Sequence, residues 1–355
     1  MFVATNREIV TNAKGLNMFG DRPNLLGPNE LRLFDAKLVN KKWKIKLLDD
    51  EADEATKKKL GVDPSTTVYA SYVAARSVFD SARKNKRHIL FFVHGFNNDM
   101  EEVLTRAQGF ADRFNVEVVP FSWPANGGGV KGVASYKSDK RDARVSAGAL
   151  DRTLKKMGDY LKKFTADSQN EMWLKAAKKH PDNAEMRDAL FTQLCEKDCP
   201  FTVNMLLHSM GNYLYKQLLG SSISEGTTLL FDNIILAAAD TNNYAHASWI
   251  ERIRCRKRIF ITINEDDSAL RAARAKAGQE QLARLGHHLF GLDSTRGVYV
   301  NFTDASFVRS SHAYFEGTAV TRNKAVRDFF KDAFTGKAAE SKLKYRADRN
   351  YYEFK

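Results

Sequence analysis

Short apolar runs alternate with amphipathic stretches along most of the chain. The run ILFFV (89–93) is followed by a helical pattern through Asp99–Phe114, then by VEVVPFSW (116–123) and a helical pattern around Asp139–Phe164. FTVNMLLH (201–208) leads into a helix from Met210 to Gly220, and NIILAAAD (233–240) into a short helix near Ala245–Arg254. RIFITIN (258–264) leads into a helix through Ser268–Gly286, and GVYVNFT (297–303) closes the series. Continuous apolar strands separated by helices predict right-handed crossovers and a mostly parallel central sheet covered by helices on both faces. Sites in such sheets lie beyond the carboxyl ends of the strands.

The flanking segments are less regular. Residues 1–80 hold extended pieces at Met1–Ala4 and Glu30–Leu48, separated by the turn-rich DRPNLLGPNE, and the alternation in WKIKLL favours strand. From Ser65 to Asn85 apolar residues recur at three- and four-residue spacing, as in a helix. The stretch 166–200, rich in Lys, Asp and Glu, is longer than one crossover requires and reads as one or two added helices. It is either a lid over the active edge of the sheet or a peripheral insertion. The basic, aromatic tail 336–355 has no clear period and reads as a surface appendage to a domain spanning 1–335.

Composition adds bounds. A chain of 355 residues exceeds the roughly 250–300 at which single cores stop growing, so one large domain with insertions competes with two. A hydrophobic fraction of 43% and a charged fraction of 28% belong to a globular, water-soluble protein. No run approaches the roughly 18 apolar residues of a membrane span, and the first residues lack a secretory signal pattern. With only Cys195, Cys199 and Cys255, the chain suits a reducing compartment and reads as cytoplasmic, and Cys195 with Cys199 makes a weak metal signal. The net charge of +13 is spread among acids in short runs, so nucleic acid is not expected as a partner; a homo-oligomer is compatible with the composition.

The sharpest chemical signal is LLHSMGN (206–212), which follows a buried strand and opens a helix. A serine at a tight strand-to-helix turn is held above the sheet as a nucleophile, and Ser209 occupies that place. The usual G-x-S-x-G pattern keeps Gly211 but has Leu207 where the first glycine would stand. A hydroxyl needs a base, an acid to orient that base, and donors for the oxyanion, in the chain order serine, acid, histidine. His312 follows the last strand and is the expected base, preferred over His246, His287 and His288. Asp267, after RIFITIN, is the expected acid; Asp240, at the end of NIILAAAD, is the rival, and Asp266 a nearer one. Met210 and Phe96 would supply the two oxyanion N–H groups, with Gly95 allowing a tight turn and His94 bracing the loop without acting as base. Trp123 and Pro124 either line the pocket or pack beneath it. No metal or organic cofactor is required by this chemistry.

Taken together, VATNRE, HGFNND, PFSWPANG, LLHSMGN, ILAAAD, DDSAL followed by RLG, and SSHAYF resemble the bacterial alpha/beta-hydrolase family of unknown function, within the lipase and esterase superfamily. The resemblance runs in order from about Met1 to Phe330. It implies the alpha/beta-hydrolase fold with Ser209 as nucleophile, Asp267 as acid and His312 as base, and it implies no substrate. The expected activity is a serine hydrolase acting on a small-molecule or lipid ester (carboxylester or thioester) through an acyl-enzyme. An acyltransferase using the same residues, or a silent scaffold binding an anionic partner, are the alternatives.

Overall fold

The computed structural model describes residues 1–125, 136–198, 201–221, 229–275 and 282–354. An eleven-stranded sheet dominates it. Strands β1 (Phe2–Thr5), β2 (Arg7–Ile9), β3 (Phe19–Pro23), β4 (Arg32–Val39) and β5 (Lys42–Leu47) come first, followed by helices α1 (Glu54–Lys59) and α2 (Ala70–Asn85). The central unit then runs β6 (His88–Val93), α3 (Met100–Phe114), β7 (Val116–Ser122), α4 (Tyr136–Val145), α5 (Ala147–Lys179), α6 (Ala184–Asp198), β8 (Val203–His208) and α7 (Met210–Gly220). After it come β9 (Asn233–Ala237), α8 (Ala247–Ile250), β10 (Arg258–Ile263), α9 (Ser268–Ala275), β11 (Gly297–Asn301), α10 (Gly317–Arg322), α11 (Lys324–Phe334), β12 (Lys344–Arg346) and β13 (Tyr351–Glu353).

The spatial order is β12-β13-β11-β10-β9-β8-β6-β7-β1-β4-β5, with β2 and β3 forming a separate pair. From β13 through β1 neighbours pair in parallel, while β12, β4 and β5 add antiparallel edges. The chain leaves β6 toward β7 on one side and continues to β8 on the other, so the order reverses at β6. The crevice beyond the carboxyl ends of β6 and β8 is therefore the topological switch point.

Alternate residues of each central strand enter two separate cores, which is why the strands read as unbroken apolar runs. Ile89, Phe91 and Val93 face one side with Met205 and Leu207, against α2, α5 and α7. Leu90 and Phe92 face the other with Leu206, against α3 and α11. Helix α3 begins on a full capping box, in which Asp99 accepts from the Glu102 N–H and the Glu102 carboxylate accepts from the Asp99 N–H.

Four expectations need correction. The helical pattern around Asp139–Phe164 is two helices that break at Ser146, whose hydroxyl donates to Asp142 O and receives the Asn6 amide. The second of these, α5, runs 33 residues through position 166, so the insertion is a continuation of it that folds back as α6. Phe164 meets Phe79, which in turn meets Phe201 just before β8 begins. The part of α5 around Phe164 thus packs near the amino end of β8; positions 199–200, with Cys199, lie outside the described residues. The helix expected through Ser268–Gly286 is present over Ser268–Ala275, positions 276–281 lie outside the described residues, and Gly286 lies against the β9 loop, where a Cβ would come 2.3 Å from Ala239 N.

The tail is no appendage. β13 adds in parallel to β11, with Val300 opposite Tyr352, and Phe354 packs on Phe302 and Phe329. A pattern-free sequence of this kind takes strand form because an open sheet edge is already present to pair with it.

Candidate functional site

Ser209 stands at the carboxyl end of β8 with φ 52° and ψ −120°. A non-glycine residue held there stores roughly 1–3 kcal/mol of strain, which the surroundings must over-determine. They do so with hydrogen bonds. The Ser209 N–H donates to Ala237 O, the Ser209 carbonyl accepts from the N–H groups of Asp240 and Asn212, and the Asn212 amide donates to Leu207 O, Ser209 O and Ala237 O. Gly211 has no room for a side chain, since a Cβ would fall 2.8 Å from His94 O and 2.9 Å from Val93 O. Leu207, where the pattern usually has glycine, is fully buried in the core beneath the turn.

His312 and Asp267 come together: the His312 Nδ1–H donates to Asp267 Oδ2 at 2.7 Å. Asp267 is fully buried, and its other oxygen caps α9 by accepting from the Ala269 and Leu270 N–H groups at 2.9 and 3.0 Å. That division of labour fixes the carboxylate: one oxygen faces the helix N-terminus, the other the imidazole. Because Nδ1 is engaged, the free imidazole edge of His312 is Nε2. The His312 loop is tied to the serine turn by His208, whose Nε2–H donates to the His312 carbonyl at 3.2 Å and whose ring centroid lies 4.7 Å from that of His312. Burial, reinforced by His312, holds His208 neutral, well below the ordinary histidine pKa.

Asp240 lies beside the same turn but is committed elsewhere. Its carboxylate is 3.1 Å from the Arg284 guanidinium and accepts from the Tyr136 hydroxyl at 2.9 Å, all three groups being buried. Asp266 is exposed and 3.7 Å from Arg271. Of the other histidines, His246 is buried against Tyr299, with Nε2 2.5 Å from the phenol oxygen. His287 and His288 contact each other at 3.3 Å.

Opposite the serine, Gly95 approaches so closely that a Cβ there would lie 2.7 Å from Ser209 Cβ. His94 is fully buried and stacks flat on Trp123; its Nε2 accepts from the Trp123 backbone N–H at 3.1 Å, and its Nδ1–H donates to Gly95 O at 2.8 Å. Burial, with Arg7 nearby, pushes the His94 pKa down to about 3, so it stays neutral. Trp123 is buried under this loop and donates its indole N–H to His94 O, so it packs and does not line a pocket. Met210 is the first residue of α7, and a helix's first N–H groups have no partner within the helix. Phe96 follows Gly95, its ring edge-on to Tyr136.

Two residues of consequence were not singled out by sequence reasoning. Arg7, 1% exposed, donates to Ser122 Oγ, Asn98 O and Ala125 O and so clamps the loops after β6 and β7 to β2. Arg284 neutralises Asp240. The signals were present in VATNRE and RLG, but nothing local marks a buried arginine. Among the described residues, no three His, Cys, Asp or Glu side chains gather as a metal ligand set, and no helix is long and apolar enough to cross a membrane.

A mostly parallel sheet with helices on both faces, a serine on a strained strand-to-helix turn and a histidine-carboxylate pair beyond the later strands define an alpha/beta hydrolase. The model of one family matches residues 72–165 and 161–290, and the chain belongs to that family, the alpha/beta hydrolases of unknown function (DUF900). No curated protein and no solved structure matches it.

Proposed function

We propose that the protein is a serine hydrolase that cleaves an ester-type bond through an acyl-enzyme on Ser209. The observation that carries this reading is the convergence of the positive-φ Ser209 turn with the His312–Asp267 pair at 2.7 Å, brought together through His208. His312 Nε2 takes the Ser209 proton, and Ser209 Oγ attacks the carbonyl. The N–H groups of Met210 and Phe96 stabilise the oxyanion. His312 then returns the proton to the leaving alcohol or thiol, and water, activated by the same imidazole, releases the acid. Asp267 holds the Nδ1–H tautomer and stabilises the imidazolium. The unpaired thiols of Cys195 and Cys255 fit a cytoplasmic setting.

Labelling with a fluorophosphonate probe tests the assignment. Wild type is expected to be modified at Ser209, with the label lost in Ser209→Ala and His312→Ala. A folded wild type that takes no label, or a label that persists in Ser209→Ala, defeats the reading.

A further inference from the structure

A cavity of about 380 Å³ opens between α4, α7 and the loop after β9. Among the described residues its lining carries Lys140, Arg141, Arg144 and Lys216 and no carboxylate, with Arg284, already paired with Asp240, beneath them. Among the described residues, the acids beside this wall are on its own helix and on the β9 loop. Asp142 lies 3.8 Å from Arg141, Asp240 lies 3.1 Å from Arg284, and Asp139 is fully buried on the same helix as Lys140. Arg284 is only 2% exposed, so the cavity floor is a guanidinium fixed in place by Asp240 and Tyr136 and not a loose surface chain.

The position of this cavity ties it to Ser209. Thr241 and Asn242 in its wall directly follow Asp240, whose N–H donates to Ser209 O. Lys216 and Gln217 lie on α7, the helix that Met210 opens, so Lys216 is roughly 10 Å along the axis from the nucleophile at 1.5 Å per residue. The Tyr136 side chain spans the gap, with its hydroxyl on Asp240 and its ring against Phe96.

We infer that this cavity is a substrate subsite for an anionic group, a carboxylate or a phosphate, carried by the ester on the far side of the bond Ser209 attacks. This rests on the hydrolase reading above. Positive side chains gathered in a concave wall concentrate an anion and orient the molecule attached to it. The preference is electrostatic, so it weakens as salt shortens the screening length from about 30 Å at 0.01 M to about 8 Å at 0.15 M.

The test compares kcat/KM for three aryl esters of matched length, ending in a methyl, a carboxylate or a phosphate, in wild type, Arg144→Ala, Lys216→Ala, Lys216→Arg and Lys216→Glu. The ratio of anionic to neutral ester is the readout, so a change in fold or in the Ser209 chemistry cancels. Wild type is expected to favour one anionic ester by at least about tenfold, with the favoured arm naming the group. Each alanine lowers the ratio by about fivefold, Lys216→Arg keeps it, and Lys216→Glu lowers it furthest. A wild-type ratio near one, or a ratio that the substitutions leave unchanged, overturns the subsite. If folded wild type hydrolyses none of the esters, fluorophosphonate labelling decides the hydrolase reading separately. The subsite then stands or falls on calorimetric titration with inorganic phosphate and with glutarate. Binding of either that Lys216→Glu abolishes sustains it, and no binding by wild type overturns it.

Discussion

Replacing Asp267 by asparagine separates the two buried carboxylates that flank the Ser209 turn. In the native site one Asp267 oxygen accepts from the Ala269 and Leu270 N–H groups and the other from His312 Nδ1–H. Asparagine caps helices as well as aspartate does, so its amide oxygen keeps the two helix bonds. The amide NH2 is then forced toward His312. As a donor it meets Nδ1 only if that nitrogen carries no proton, which moves the proton to Nε2 and leaves the imidazole unable to accept from Ser209. A wrong tautomer of this kind costs on the order of 10⁴ in kcat, while the intact cap limits the stability loss to about 1–2 kcal/mol. Asp240→Asn should do the reverse. It strands the buried Arg284 charge and destabilises the fold by about 3–5 kcal/mol, with little effect on kcat below the unfolding transition. Aryl-ester turnover and urea denaturation of both variants read these quantities. If Asp267→Asn kept kcat within tenfold of wild type while Asp240→Asn lost it, Asp240 would be the acid and the reasoning from the cap would be refuted.

Three further outcomes are expected. Gly95→Ala puts a Cβ 2.7 Å from Ser209 Cβ, so the Phe96 N–H is displaced and kcat falls by about 10²–10³ with an unchanged circular dichroism spectrum; wild-type turnover in a folded variant would remove Phe96 from the oxyanion role. His94 has its pKa lowered to about 3 from an unfolded value near 6.5, so the native state binds fewer protons than the unfolded one. Its contribution is complete above pH 6.5 and is lost progressively as pH falls to about 3, by about 5 kcal/mol in all. Urea melts between pH 8 and 4 should therefore steepen with acid, and His94→Gln should lower that slope by about 1.4 kcal/mol per pH unit; an identical slope would show that His94 does not titrate on unfolding. Deleting 344–355 removes the strand paired to β11 together with Tyr351 and Phe354, which should lower the unfolding free energy by about 3–5 kcal/mol, and unchanged denaturation would contradict the packing of that edge.

The strands that carry the site were legible because each is buried on both faces, and an unbroken apolar run such as ILFFV has few other places to go. The serine turn was legible for a related reason: a strand, a small residue and a helix in immediate succession constrain the backbone locally, whatever lies around them. The boundary at Ser146 was not, since the break depends on an Asn6 amide from the far end of the chain. The tail likewise becomes a strand only because β11 offers an open edge. Two carboxylates end neighbouring parallel strands, and sequence leaves both open as the partner of His312. Asp267 meets it because Arg284, 44 residues beyond Asp240, folds back to claim the other. Local pattern set the elements and the serine turn; partners from distant parts of the chain decided which charges meet, because an ion pair has no period to leave in the sequence.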